Sequence, residues 1–177
     1  MIKENIINKI IKIEGGYVND PSDSGGETNF GITEAVARAH GYTGAMIDLP
    51  RQLAFDIYSN KYWNSVNADK IMQLSASLTE KIVDISVNMG PKRAGIFLQR
   101  ALNALNNRAT LYNDLNVDGQ IGSKTLKALE SYLDKRSSNI LIKAINCLQG
   151  AFYIELAERR EKDEKFVYGW LKNRVVL

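Results

Sequence analysis

The feature that most constrains this chain is the stretch from residue 14 to residue 33, which reads EGGYVNDPSDSGGETNFGIT. Isoleucines precede it at intervals of mostly three and four residues: Ile2, Ile6, Ile7, Ile10, Ile11 and Ile13. That spacing places apolar side chains on one face of a helix. Gly15 and Gly16 follow Glu14, and glycine adopts the positive φ angle that ends a helix. We therefore expect Glu14 at the junction of a buried helix and a loop, at the rim or on the floor of a cleft.

The loop after Glu14 carries strong turn signals in residues 20–21 and 24–26. Two short runs, residues 17–18 and 29–32, flank these turns and predict a small hairpin that carries Asp23 close to Glu14. A carboxylate beside apolar surface and a second one in a polar loop acquire different pKa values, and glycoside cleavage uses such a pair. Turn composition alone also explains the aspartates and glycines, with Glu14 as a solvated helix end.

The same twenty residues resemble the signature of glycoside hydrolase family 108, the muramidases typified by phage endolysins, some of which are labelled secretion activators. They also resemble the phage-lysozyme pattern of a Glu, an Asp and a Thr, here Glu14, Asp23 and Thr28. Two later segments, IVDISVNMGPKRAGIFLQRALN and DLNVDGQIGSKTLKAL, are similar to the peptidoglycan-binding segment that follows the catalytic segment in this family. The likeness covers most of the chain.

The resemblance implies a lysozyme-type hydrolase that cleaves the β-1,4 bond between N-acetylmuramic acid and N-acetylglucosamine in peptidoglycan. Glu14 would be the general acid, while Asp23 and the Thr28 hydroxyl would handle water. Thr33 offers a second candidate hydroxyl, and it can also cap the helix that follows. The phage-lysozyme resemblance favours inversion, and the separation of the two carboxylates decides between the retaining and inverting routes.

Substrate contacts are predicted at six further residues: Tyr17, Phe30, Thr33, Trp63, Asp84 and Asn88. Aromatic rings beside a cleft stack on sugar faces, and Trp63 follows a helix at a polar break, although rings at helical spacing are more often core. Tyr168 and Trp170 are predicted to be core rings that pack the last segment onto the body. Asp84 and Asn88 lie one helical turn apart, so they either point together into the cleft or bond to neighbouring backbone.

Amphipathic runs with start and stop signals predict further helices near residues 34–40, 50–60, 67–76, 78–89, 92–106, 123–132 and 139–164. We expect a mainly α fold, which the resemblance makes a lysozyme-like helical body with a small N-terminal β-hairpin lobe and a cleft between them. Residues 1–90 would form the catalytic segment. Residues 91–177 would form the helical peptidoglycan-binding segment, packed into the same compact body.

No metal or cofactor is expected. A single histidine, His40, cannot build a histidine-rich zinc site, and the single cysteine, Cys147, lies among apolar residues and is predicted to be buried. Residues 114–119, DLNVDG, match the first half of a calcium loop, but Thr125 replaces the glutamate required at the twelfth position. We therefore predict a tight Asp/Gly turn that leads to Ser123 as the cap of a helix.

The net charge of +3 indicates a mild attraction to anionic surfaces such as wall polymers. No basic stripe interleaved with aromatic residues suggests nucleic acid as a partner. Charged and polar residues interrupt the first isoleucines, so we expect no signal peptide, and no apolar run reaches the roughly 18 residues that span a bilayer. The expectation is a monomer without stable membrane insertion, made in the cytoplasm and acting on the wall after release through a holin-type or other route.

Two other functions fit the sequence. A lytic transglycosylase also uses one essential glutamate on a helical body, but it has no need of a water-holding Asp and Thr. A non-catalytic wall-binding or secretion-regulating protein would keep the fold as a docking module.

Overall fold

The computed structural model describes residues 2–19 and 26–175, and this part of the chain is mainly helical with one two-stranded sheet. The predicted mainly α fold class is therefore confirmed. The helices and strands follow in this order: α1 Ile2–Glu14, β1 Thr28–Asn29, β2 Ile32–Thr33, α2 Glu34–Ala39, α3 Arg51–Tyr58, α4 Ala68–Leu74, α5 Ala76–Met89, α6 Pro91–Ala104, α7 Ser123–Leu133, α8 Ser138–Arg159 and α9 Glu164–Arg174. Short 3-10 turns cover Met46–Asp48, Asn64–Val66 and Glu161–Asp163, and a π-helical turn, Ser59–Trp63, continues α3.

The chain forms two compact units, Met1–Asn64 and Ser65–Leu177. In the first unit, α1 packs against α3. Only Ile7 and Ile11 of α1 are buried, whereas Ile13 is 68% exposed. The buried stripe of α1 is therefore narrower than the isoleucine pattern predicts.

A tight hairpin follows α1 in the first unit. Thr28 pairs with Thr33 and Asn29 with Ile32 in antiparallel register. The two residues between the strands, Phe30 and Gly31, have φ angles of +53° and +71°, as a type I′ turn requires. The predicted hairpin is thus present with different pairing, because residues 29–32 supply both strand ends and the turn. Val18 adds a bridge to Thr28 through two backbone hydrogen bonds of 2.9 Å.

The second unit is built around α5, which packs against α4, α6 and α8. Gly90, at a φ of +86°, and Pro91 separate α5 from α6, as their sequence predicts. Helix α6 also contacts α7 and α8, and α8 packs against α9. The largest fully buried side chains of this unit are apolar or aromatic: Ile71, Leu78, Ile82, Ile85, Phe97, Leu98, Leu102, Leu129 and Tyr132.

Three local predictions about this unit are wrong. Cys147 is exposed rather than buried, because it lies about 200° around α8 from the buried Ile145. Tyr168, predicted to pack in the core with Trp170, is 77% exposed, whereas Trp170 stacks on Tyr153 at 4.9 Å. Ser123 is the first residue of α7, and Gly122 occupies the N-cap position.

Helix α8 is, within the described residues, the one helix long and apolar enough to cross a membrane by length and composition. Its buried residues include Leu141, Ile145 and Tyr153, and it packs against α5, α6 and α9. The core helix of a folded domain meets the same criteria of length and composition. The absence of membrane insertion stays a prediction.

Candidate active site

Glu14 is the last residue of α1, and its side chain is exposed. Gly15 follows with a φ of +87°, so the backbone turns away directly after the carboxylate. The buried Ile7 and Ile11 hold the helix that carries Glu14. The carboxylate therefore has a rigid support on one side and solvent on the other.

The hairpin turn lies directly against Glu14. A Cβ atom built on Gly31 would stand 2.9 Å from both Cβ and Oε2 of Glu14, and 2.8 Å from the hydroxyl oxygen of Tyr58. Real Cβ atoms do not approach neighbours this closely, and the φ of +71° also disfavours a side chain. The absence of a side chain at Gly31 lets the turn, Glu14 and Tyr58 meet at one point.

Tyr58 fixes the turn from the other side. Its hydroxyl donates a hydrogen bond of 2.7 Å to the carbonyl of Phe30, and its ring stacks on Tyr62 at 5.7 Å. Burial raises the pKa of Tyr58 strongly, and the negative charge of Glu14 raises it further. The phenol therefore stays protonated and acts as a neutral hydrogen-bond donor beside Glu14.

The hairpin has a second anchor in Asn29, which is 4% exposed. Its side-chain amide donates to the carbonyls of Met46, at 2.8 Å, and Ile47, at 3.2 Å. Phe30 next to it holds a positive φ that is unusual for an aromatic residue. The hydrogen bonds of Asn29 and Tyr58 hold the chain on both sides of Phe30. These bonds compensate for the strain at Phe30.

Thr28 and Thr33 are opposite residues of the hairpin, so their side chains lie on the same face. The Thr33 hydroxyl accepts a hydrogen bond of 3.4 Å from the Val36 amide and caps α2, as the sequence predicts. That structural role leaves Thr28 as the better candidate for the hydroxyl that handles water.

The other predicted site residues of the first unit differ in exposure, and one of them is not described. Asp23 lies outside the described residues. Tyr17 is 37% exposed beside the end of α1, and Phe30 is half-buried in the turn. Trp63 is 1% exposed and Lys3 lies over its ring at 5.7 Å, so the structure corrects its predicted role: its ring faces are not open to a sugar.

Asp84 and Asn88 lie on α5 in the second unit and contact each other. The Asn88 amide donates to the Asp84 carbonyl at 2.7 Å and to Asp84 Oδ1 at 3.0 Å. Arg174 forms an ion pair with the same oxygen at 3.3 Å. The alternative of local bonding thus accounts for both side chains, and their contact with substrate stays a prediction.

Known protein families match both halves of the chain. Residues 7–90 match the profile of the family described as Glycosyl hydrolase 108, and residues 93–175 match the family described as Predicted Peptidoglycan domain. The chain joins a glycosyl hydrolase 108 segment to a predicted peptidoglycan domain. The resemblance stated from the sequence is therefore confirmed for both segments.

A solved structure of Brucella abortus SagA is similar to nearly the whole chain. The identity is 29% and the TM-score 0.67, with 98% of this chain and 88% of that chain covered. A comparison with curated proteins finds no match.

A groove of about 760 Å³ runs along the glycosyl hydrolase 108 segment beside the end of α1. Its described lining contains three cations and no acid, and it includes both glycines that follow Glu14: Asn5, Asn8, Lys9, Ile11, Lys12, Gly15, Gly16, Phe30 and Arg51. A cleft that is lined by cations and has low-dielectric walls attracts anions, so this groove is suited to an anionic polymer.

Three residues that shape the glycosyl hydrolase 108 segment around Glu14 are not among the sites that the sequence predicts. Helical spacing places Tyr58 on an apolar face, and the hairpin pattern places Asn29 and Gly31 in a strand. The tripeptide from Asn29 to Gly31, flanked by short strands, carries a usable signal, because a glycine at the second turn position is typical of a type I′ hairpin. Nothing in the sequence pairs Tyr58 with a turn 28 residues upstream.

Proposed function

We propose that this chain is an N-acetylmuramidase that hydrolyses the β-1,4 bond between N-acetylmuramic acid and N-acetylglucosamine in peptidoglycan. The observation that carries the proposal is the position of the exposed Glu14 carboxylate beside Gly31 of the hairpin turn, where the Tyr58 hydroxyl also lies. It occurs inside a segment that matches glycosyl hydrolase 108. Glycoside cleavage needs a positioned carboxylic acid, and a rigid helix end with a packed turn supplies the positioning.

In this mechanism Glu14 donates a proton to the glycosidic oxygen as the bond to the anomeric carbon breaks. Asp23 takes a proton from the water whose oxygen bonds to that carbon, and the Thr28 hydroxyl holds the water. The proton lost by Glu14 is recovered when the products leave. A carboxylate separation of about 6.5 to 9.5 Å leaves room for this water and gives inversion, whereas about 5 Å gives a covalent, retaining route.

Tyr58 has a positioning role in this proposal. Because its phenol is neutral and its proton is engaged by the Phe30 carbonyl, it holds the turn in place without competing for the Glu14 proton. Tyr17, Phe30 and Thr33 border the same turn and would contact the sugar. The cationic groove would attract the carboxylates of the wall polymer.

Replacing Glu14 by Gln tests the proposal. We expect the variant to lose lysis of purified cell walls while its melting temperature stays within about 2 °C of the wild type, since the side chain is exposed. Glu4→Gln is the matched control, because it removes an exposed carboxylate from the first turn of the same helix. Retention of lysis by Glu14→Gln would defeat the assignment.

A non-catalytic wall-binding function is the second candidate, favoured by the match of residues 93–175 to a predicted peptidoglycan domain. It predicts that the wild-type protein sediments with sacculi and releases no sugar ends. Sedimentation and end-group measurement on the same sample separate the two functions.

A further inference from the structure

The peptidoglycan domain contains a pocket of about 740 Å³ between the loop of residues 112–122 and helix α7. The loop side carries two carboxylates, Asp114 and Asp118, and the helix side carries two lysines, Lys124 and Lys127. Amides and hydroxyls complete the polar lining: Gln99, Asn113, Asn116, Gln120, Ser123, Thr125 and Ser131. The pocket therefore presents charges of both signs on opposite walls.

The loop that forms one wall of this pocket is held by hydrogen bonds from three amide side chains. Gln99 and Asn103 lie one turn apart on α6, and Asn106 follows two residues after the helix ends. We call these three residues the amide row. Gln99 donates to Asp118 Oδ1 at 2.8 Å and to the Gln120 carbonyl at 3.0 Å, and its oxygen accepts from the Gly119 amide at 2.8 Å. Gln99 is 1% exposed, so these bonds are sheltered from water.

The other two members of the row fix the first half of the loop. Asn103 exchanges two hydrogen bonds of 2.8 Å with the backbone of Leu115. Asn106, fully buried, donates to the Tyr112 carbonyl at 2.6 Å and to Asp114 Oδ1 at 2.9 Å. Each carboxylate on the loop wall is thus set in place by a buried amide.

Close backbone contact completes this wall. A Cβ atom on Gly95 of α6 would collide with the carbonyl oxygen of Gly119, so the loop rests directly on the helix. The φ of Gly119 is +81°, and its own Cβ would lie 2.6 Å from the Lys92 carbonyl. The pocket wall is therefore formed before a ligand arrives, which lowers the entropy lost on binding.

The charges facing the pocket are exposed. Hydrogen bonding by Gln99, with the positive charge of Lys124 nearby, lowers the pKa of Asp118, so this carboxylate stays ionised at neutral pH. Lys124 and Lys127 are exposed, and neither forms an ion pair within residues 2–19 and 26–175. A neutral glycan has no charges to pair with these four side chains. A ligand with both carboxylates and an amine carries charges of both signs and can pair with them.

We propose that this pocket binds the stem peptides of peptidoglycan, short peptides that carry free carboxylates and a free amino group. Lys124 and Lys127 bind the peptide carboxylates, Asp114 and Asp118 bind the amine, and Ser131 bonds to the peptide backbone. The proposal rests on the peptidoglycan-directed function above but not on bond cleavage. The domain thereby holds the wall by its peptides while the first segment acts on its sugars.

Calorimetric titration of the full-length Glu14→Gln protein tests this site without cleavage of the ligand. The probes are a disaccharide-tetrapeptide, the free tetrapeptide and the disaccharide without peptide. We expect the two peptide-bearing probes to bind with similar affinity and the bare disaccharide to bind at least tenfold more weakly. Addition of Lys124→Gln and Lys127→Gln together should weaken binding of the free tetrapeptide about tenfold, because two charge-assisted contacts are lost.

Lys135→Gln with Lys143→Gln is the matched control, since both lysines are exposed and neither lines the pocket. It should leave the affinity for the tetrapeptide within about twofold. The proposal is overturned if the bare disaccharide binds as tightly as the tetrapeptide, or if the pocket double variant binds the tetrapeptide like its control. Release of sugar ends by the wild-type protein is measured separately, so loss of the hydrolase proposal leaves this result readable.

Discussion

Two loops of this chain contain both Asp and Gly, and the described parts of the two loops are anchored in opposite ways. In the peptidoglycan domain, Asp114 and Asp118 accept hydrogen bonds from buried amides of the amide row. In the glycosyl hydrolase 108 segment, the buried Asn29 and Tyr58 donate hydrogen bonds to backbone carbonyls instead, and the Glu14 carboxylate remains exposed. A loop whose carboxylates accept hydrogen bonds from buried amides is held as a fixed wall. Where the anchoring hydrogen bonds go to backbone carbonyls instead, the carboxylate stays available for chemistry.

The two loops also share one device. Tyr58 donates to the Phe30 carbonyl in the first unit, and Tyr112 donates to the Leu102 carbonyl, at 2.7 Å, in the second. Burial raises the pKa of Tyr112 to about 12. Each loop is thus tied to a neighbouring helix by a phenol that must keep its proton.

The largest effect is expected from Gln99→Leu. The substitution leaves the buried Gly119 amide without the Gln99 oxygen and removes the bonds of Gln99 to Asp118 and Gln120, so we expect a loss of about 3 kcal/mol in the free energy of unfolding. Urea denaturation measures it, with Gln52→Leu as a control, because Gln52 is exposed and its amide donates to Asp56 on its own helix. Equal, small effects of both variants would show that the amide row does not build the loop wall.

Gly31→Ala should mainly damage activity. Its Cβ would collide with Glu14 and Tyr58, so we expect wall lysis to fall at least tenfold and stability to fall by about 1 to 2 kcal/mol. Gly169→Ala is the control, since among the described residues the methyl group that it adds meets no atom within 4 Å and it lies inside α9, where alanine is favourable. Full lysis by Gly31→Ala would mean that the packing of the turn against Glu14 is irrelevant to function.

Tyr58→Phe removes one hydroxyl from the same cluster. Losing the bond to the Phe30 carbonyl should cost about 1 kcal/mol and lower lysis a fewfold, because the turn loses one of its two anchors. Tyr168→Phe, at a 77% exposed ring, should change neither stability nor lysis. If the two variants behave alike, the hydroxyl of Tyr58 does not position the turn.

The smallest effect concerns alkaline pH. The folded-state pKa values of Tyr58 and Tyr112 lie above the ordinary value of 10.0, so their contribution to stability is complete below pH 10. Above pH 10 the unfolded chain releases these protons first, and stability falls as the pH rises through the folded-state values. Urea denaturation at a series of pH values should show this decline, and Tyr112→Phe should make it shallower. Constant stability from about pH 9 to 12 would contradict it.

The sequence was sufficient for the features that depend on local chemistry. Glycines after Glu14 end α1, Thr33 caps α2, and Gly90 with Pro91 separates α5 from α6, because each of these residues acts on its own backbone. The tight turn at Asp118 was predictable for the same reason, since Asp118 Oδ1 accepts from the Gln120 amide two residues on.

What the sequence could not provide depends on partners far along the chain. The contact of Tyr58 with Phe30 spans 28 residues and that of Gln99 with Gln120 spans 21. The amide row looks like the polar face of an amphipathic helix, and Trp63 looks like an exposed ring at a polar break. Burial decides both cases, and periodicity gives the pattern of a face without its neighbours.

The most direct test of the account is to incubate the wild-type protein with purified sacculi and identify the sugar ends that are released. We expect new reducing ends at N-acetylmuramic acid, which carry the oxygen of water, and none with Glu14→Gln. Ends of the 1,6-anhydro type would contradict it in favour of a transglycosylase. The absence of any new ends from sacculi that bind the protein would leave only the wall-binding function.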